Sequence, residues 1–551
     1  MSAFYNQLMG AHMSSRFCAR LNIDEFATVN RRGLLRALGA AALLTSTGGF
    51  FARSLWGNPV FATYPFPLGV ASGDPATDGF VIWTKIAPKP LERGGGMPKK
   101  AVEVEWVVAA DPQMGKLVRS GKAIAPPELG HSVHVEVGGL ESAREYYYRF
   151  TVGGERSGIG RARTLPPTGP ALARLRFAAA GCQRYEDGYF TAYRDIAAER
   201  FDFVFHYGDY IYEGPVLRPN ERKLPVVRVM PGDPDECYTL DDYRHRYSLH
   251  QLDADLQAAH ASAPFVMSYD DHEVENDWAG DTNEKKAPPE LFVLRRAAAF
   301  QAWYEHLPLR RAQLPRGPDI LAYRRFAVGD LLSMNVLDTR LFRSPQACAD
   351  GPRQQANCAE ALEGNRTMLG ATQERWLYDG FRSSKAHWNL LAQQVIVARN
   401  DRDPDPNVFA PSLDKWDGAV AARDRLFAAV EAAKLRNLVV ITGDVHQNWA
   451  AELKKNFADE KSATLGVEFV ATSVSSLGDG FDINDRFKAL LQQDPHLKFF
   501  NGQRGYVRHT VTPQRWQADY QVLDKVSVRD GRLSTRKSFV VENGKPGLTE
   551  A

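Results

Sequence analysis

The sequence lacks the features that mark most specialised chains. Cysteine is scarce, five among 551 residues, which excludes a dense disulfide scaffold. Neither sign of charge is in excess. The 68 Lys and Arg stand against 66 Asp and Glu, a net +2, so no bulk field attracts nucleic acid or an anionic membrane. No nucleic-acid-binding domain is expected. The 44 Gly and 32 Pro are ordinary usage, which excludes collagen-like and low-complexity architectures. No repeat recurs at solenoid or propeller periods. No Gly-x-Ser-x-Gly elbow is present to carry a serine nucleophile. What is there is globular: 44% hydrophobic and 24% charged residues, in a chain long enough for about two to four domains.

The longest apolar stretch, residues 33–51, is broken by Arg36 and by Gly, Ser and Thr. A membrane span needs about 20 strongly apolar residues, so this is a poor one. Arg31-Arg32 precede it, with Leu34, Leu35 and Arg36 close behind. That pattern resembles the twin-arginine export signal. Small residues then lead to Val60-Phe61-Ala62, a cleavage site before Thr63. Residues 1–62 therefore read as a leader, with the twin-arginine export machinery as partner. The mature protein is expected to be periplasmic or extracellular, with no stable membrane span after cleavage. That route carries folded proteins, so a cofactor loaded before export is expected.

Residues 63–167 have β grammar. Gly79–Thr84, Val102–Val107, Val133–Val137 and Tyr146–Phe150 are rich in β-branched and aromatic residues and are separated by turn signals. Six or seven short strands in about 100 residues predict a small all-β sandwich. A Pro-rich linker around Pro166-Pro167 follows. From 168 to 551, short apolar runs at Leu175–Gly181, Phe203–Gly208, Leu331–Asp338 and Leu438–Asp444 alternate with helical stretches. Those helices are expected at Tyr189–Arg200, Leu291–Trp303, Thr372–Arg382 and Ala421–Ala433. The pattern predicts an α/β (α+β) domain with a large central sheet, its ligand groups at the C-terminal ends of the strands.

Four strand ends deliver metal-ligand chemistry: Gly181-Cys182, Gly208-Asp209 with Tyr212 and Glu213, the run Asp270–Asp277, and Gly443-Asp444-Val445-His446. Glycine before a ligand lets a strand turn sharply and approach an ion. The conjunction is the layout of a metal-dependent phosphoesterase. The familiar two-metal pattern is not met, because Cys182 and Tyr212 stand where Asp and His ligands are usual. Thiolate, phenolate and carboxylate with one neutral His favour a trivalent ion, and iron(III) is the usual partner of a tyrosinate.

With Gly-Asp-Tyr-Ile-Tyr-Glu, Asp-Asp-His-Glu-Val-Glu-Asn, Leu337-Asp338-Thr339-Arg340, Asp414-Lys415-Trp416-Asp417-Gly418 and Gly-Asp-Val-His in place, the chain resembles the PhoD-like alkaline phosphatases over nearly all of its mature length. The resemblance implies a fibronectin-like N-terminal domain and a metallophosphoesterase core holding one iron (Fe3+) and two calcium ions (Ca2+). It implies Cys182, Asp209, Tyr212 and His446 on iron, with Asp209, Asn276 and Asp444 on calcium. Asp270, Asp271 and His272 line the site as ligands or as groups beside them, and Arg340 is a clamp for a phosphate oxygen, so Asp271, His272 and Arg340 are the catalytic candidates.

The expected function is hydrolysis of phosphate mono- and diesters by a metal-activated water or oxide. Small phosphate esters are the substrates, and a phosphodiesterase or phospholipase D-type enzyme and a non-catalytic secreted binding protein are the alternatives. Cys348 and Cys358, ten apart in a polar stretch of an exported chain, predict a disulfide. Cys237 is then free and Cys182 metal-bound.

Overall fold

The computed structural model describes residues 60–170, 172–215, 227–229, 235–348, 356–403, 405 and 407–551. The twin-arginine segment and most of the leader lie outside the described residues. The N-terminal strands are β1 (Val70–Gly73), β2 (Phe80–Lys85), β3 (Val102–Ala109), β4 (Leu117–Ala125), β5 (Ser132–Val137), β6 (Glu145–Val152), β7 (Glu155–Arg156) and β8 (Gly160–Arg163). Then come β9 (Leu175–Ala180), β10 (Phe203–His206), β11 (Pro264–Met267), β12 (Arg324–Val328), β13 (Leu332–Val336), β14 (Trp388–Ala392) and β15 (Leu438–Thr442). The chain closes with β16 (Asn448–Lys454), β17 (Thr464–Val470), β18 (Leu497–Asn501), β19 (Gly505–Val511), β20 (Arg515–Leu523), β21 (Leu533–Glu542) and β22 (Lys545–Glu550). Helices are α1 (Thr191–Ala198), α2 (Leu240–Gln251), α3 (Ala254–Ser262), α4 (Pro289–His306), α5 (Gly370–Ser383), α6 (Val420–Ala432) and α7 (Asp485–Gln493).

Two large sheets form the core where one central sheet was expected. A ten-stranded sheet runs β22-β21-β20-β19-β9-β10-β11-β1-β2-β5, and a seven-stranded sheet runs β12-β13-β14-β15-β17-β16-β18. The reason is that β9 and β15 are apolar on both faces and need cover on both. Phe177 and Ala179 of β9 share an apolar layer between the sheets with Leu390, Val439 and Ile441. Ala178 and Ala180, on the other face, pack with α1, α3 and α4. Leu438 and Val440 of β15 likewise meet α5 and α6 on the outside of the second sheet. The result is four layers, helix–sheet–sheet–helix.

Strands β9, β10 and β11 are mutually parallel, as are β13, β14, β15 and β17. Their C-terminal ends gather the loops that carry the candidate ligands. The N-terminal β region is fused to this core. Its β3, β4, β6, β7 and β8 make a separate sheet, but β1 pairs in parallel with β11 and brings β2 and β5 into the ten-stranded sheet. The two sheets of the region share a core of Phe80, Ile82, Val104, Tyr148 and Phe150. The junction is locked by Glu305 of α4, fully buried, which accepts hydrogen bonds from Arg244 at 2.6 and 2.7 Å and pairs with Lys85 of β2 at 3.4 Å.

Candidate metal centre

The loops after β9, β10 and β15 turn so sharply that the candidate ligand residues leave ordinary backbone space. Cys182, Asp209, Asp444 and His446 have φ of 54°, 55°, 67° and 57°. Left-handed conformations at non-glycine residues cost about 1 kcal/mol or more each and persist only where the surroundings enforce them. Here the enforcement is mutual. The Cys182 amide donates to the Gly208 carbonyl and the Gln183 amide to the Asp209 carbonyl, both at 3.0 Å, so the first two loops are stitched together. The buried ring of Tyr207 fills the space beside Gly181 and Gly443. A Cβ on either would lie 2.4 or 2.1 Å from a ring carbon, which is why both positions are glycine.

The ligand atoms of Cys182, Asp209 and His446 all lie within 4.8 Å of one another, as do those of Asp209, Asp271 and His272, and of Asp270, Asp271 and Asp444. Asp209 belongs to the first two clusters and Asp271 to the last two, so the three form a continuous chain. Tyr212 joins the first. Its hydroxyl lies 2.8 Å from both Asp209 Oδ2 and His446 Nε2 and accepts from Ser476 Oγ at 2.7 Å.

The Arg340 guanidinium is fully buried and contacts Asp270, Asp271, Asp414 and Asp444 at 2.5–3.4 Å. Arg340 is thus the common ion-pair partner of four acidic groups. Lys415 Nζ adds a contact to Asp444 and one to Asp414 at 3.0 Å. Asn276 sits at the rim. Its backbone N–H donates to Glu213 Oε1 at 2.9 Å, and its side-chain amide is turned to Glu284 at 2.6 Å.

The electrostatics are those that a bound cation would relieve. Burial, followed by the charges of Asp209 and Asp444, pushes the Cys182 thiol well above its usual range. Burial, followed by Asp209 and Cys182, does the same to the Tyr212 phenol. Neither ionises there except against a multivalent positive charge in contact with it. Burial also raises Asp270, while Arg340 and His272 outweigh burial at Asp271 and hold it low. Burial opposes the charged form of His272, but Glu213 at 2.7 Å, then Asp271 and Asp209, keep its ring protonated. Asp209 Oδ1 is buried with no hydrogen-bond donor. An unpaired buried carboxylate oxygen of this kind fits a bound cation.

Residues 177–520 match the PhoD-like phosphatase family, and residues 52–166 match that family's N-terminal domain. The chain belongs to the PhoD-like phosphatase family. It is 47% identical over 528 residues to alkaline phosphatase D of Bacillus subtilis (strain 168), covering 95% of this chain and 89% of that one. A solved structure, described as that of PhoD, matches with a TM-score of 0.86 at 48% identity, over 90% of this chain and 93% of the other. This PhoD-like chain is thus an enzyme of the phosphoric ester hydrolase class, with candidate metal-binding clusters at its strand ends.

Several members of the PhoD-like centre carry no assigned role in the sequence reading. Glu273 accepts the backbone N–H groups of Asp209 (3.1 Å), Tyr210 (2.6 Å) and Asp270 (2.8 Å), tying two ligand loops together. Glu213 fixes His272, and Lys415 meets Asp444. These three stand inside motifs that are visible in the sequence. Ser476 does not: its Ser-rich loop looks like any surface turn until the fold places it on Tyr212. The disulfide Cys348–Cys358 is present with Cα atoms 6.3 Å apart, and Cys182 and Cys237 are free and buried.

Proposed function

We propose that this chain is an exported, metal-dependent alkaline phosphatase acting on phosphate mono- and diesters. In this reading Cys182, Asp209, Tyr212 and His446 hold iron(III), and Asp209, Asn276 and Asp444 hold calcium, with Asp270 and Asp271 alongside. The overlap of three ligand clusters through Asp209 and Asp271 is the observation that carries it. When bound, the cations neutralise phosphate oxygens and acidify a water for in-line attack on phosphorus.

The protein's own groups do the rest. Arg340 and Lys415 keep the carboxylates apart from one another and fixed in place. Glu213 holds His272 by Nδ1, and the Tyr212 ring packs 4.2 Å from the imidazole, so Nε2–H is the proton offered to the leaving oxygen. The leader at 1–62 is the address for twin-arginine export, placing the mature enzyme in the periplasm or outside the cell, and the β region ends near 167. Among the described residues no helix is long and apolar enough to cross a membrane. The test is turnover of one monoester and one diester by wild type and Asp209→Asn. The proposal expects both reactions in wild type and loss of both, with the fold kept, in the variant. Retained turnover in Asp209→Asn overturns it.

A further inference from the structure

A cavity of about 130 Å³ lies beside the metal centre and shares its wall. Lys415, whose Nζ meets Asp444, lines it, and so does Val445, which stands between Asp444 and His446. Its volume is close to that of an engineered cavity, about 150 Å³, that takes a benzene ring. Trp449 and Phe487 give it an aromatic face.

At the rim, Arg486, in the first turn of α7, donates to the Arg402 carbonyl at 2.6 Å, which orients its guanidinium. Among the described residues Arg486 has no carboxylate within ion-pair distance, so its charge is available to an anion. The nearby acid Asp417 is already paired with Arg423 at 2.6 Å.

We propose that this cavity is the subsite for the organic half of the ester. It takes a single ring bearing an acidic substituent, with the ring on Trp449 and Phe487 and the anion on Arg486. The proposal rests on the hydrolase reading of the neighbouring centre.

The experiment measures kcat/KM of the metal-loaded enzyme for 4-carboxyphenyl phosphate and for methyl phosphate, in wild type, Arg486→Ala and Arg486→Lys. Comparing each variant with wild type on the same substrate cancels the difference in leaving groups. Arg486→Ala is expected to lose about tenfold on 4-carboxyphenyl phosphate, through KM, and nothing on methyl phosphate, while Arg486→Lys keeps most of the wild-type value; tenfold is the weight of one charge-assisted hydrogen bond. The Arg486 side chain is exposed, so its replacement leaves the fold in place. Equal losses on both substrates make Arg486 a support of the centre and overturn the subsite, as does no change on either. A wild type inactive on both substrates refutes the hydrolase reading itself, a distinct outcome.

Discussion

Glu273→Gln tests the stitching of the ligand loops. The wild-type carboxylate is fully buried and takes three backbone N–H groups: Tyr210 on Oε1, and Asp209 and Asp270 on Oε2. A glutamine has one carbonyl oxygen, and its NH2 faces donors. Whichever way it turns, one or two buried N–H groups lose their acceptor. Each costs about 1–3 kcal/mol, so the loss is about 1–6 kcal/mol in all. For a chain of this size that is a fall in Tm of about 2–12 °C, at about 2 °C per kcal/mol. The damage also reaches the chemistry, because the released amides belong to Asp209 and Asp270. A displacement of about 1 Å at such groups costs on the order of a hundredfold in turnover. Calorimetry and a steady-state phosphatase assay on the same preparation measure both. A variant with wild-type Tm and turnover refutes the stitching. A variant that loses stability alone shows that the loops keep their places without Glu273.

Three further outcomes follow from the same structure. Burial alone would raise the Glu305 carboxyl, but Arg244 and Lys85 outweigh it and hold it down at about 2, against 4.5 unfolded. The group therefore contributes about 3 kcal/mol above its unfolded value, lost as pH falls from about 4.5 towards 2. Glu305→Gln should flatten that part of the stability–pH curve, and an unchanged curve contradicts the junction account. Tyr212→Phe should remove the visible absorption expected of a tyrosinate on iron(III) and sharply lower turnover, and an unaltered spectrum takes Tyr212 off the metal. Selective reduction of Cys348–Cys358 should cost about 2–3 kcal/mol in the chain-entropy model, and mass mapping should find both alkylated only after reduction.

The parts legible in the sequence were those where local pattern and tertiary role agree. The runs ending in Gly181, Gly208 and Gly443 are strands because they are buried on both faces, and they end in glycine because Tyr207 and the ligand turns need it. Helices α1, α4, α5 and α6 lie within about three residues of the stretches read from periodicity. The reading missed α2, which carries no apolar stripe: it buries Arg246, Ser248, His250 and Gln251. Such side chains tolerate burial because Arg246 is satisfied by the carbonyls of Tyr212, Gly214 and Asp235, contacts invisible until the chain has folded. The split into two sheets was hidden for a similar reason, since strand runs do not say which neighbour they pair with. At the centre, residue types singled out Cys182, Asp209, Asp444 and His446, which the fold brings into candidate clusters. The burial of Arg340 among four carboxylates was beyond reach, because an Arg in a motif reads equally as a hand for phosphate or as an anchor for acids.

The most direct test of the central claim is metal content and turnover measured together, before chelation, after it, and after metal is returned. The account predicts iron and calcium in the purified protein, loss of phosphatase activity when calcium is removed with iron retained, and recovery when calcium is restored. Full turnover by protein stripped of its metals would contradict it.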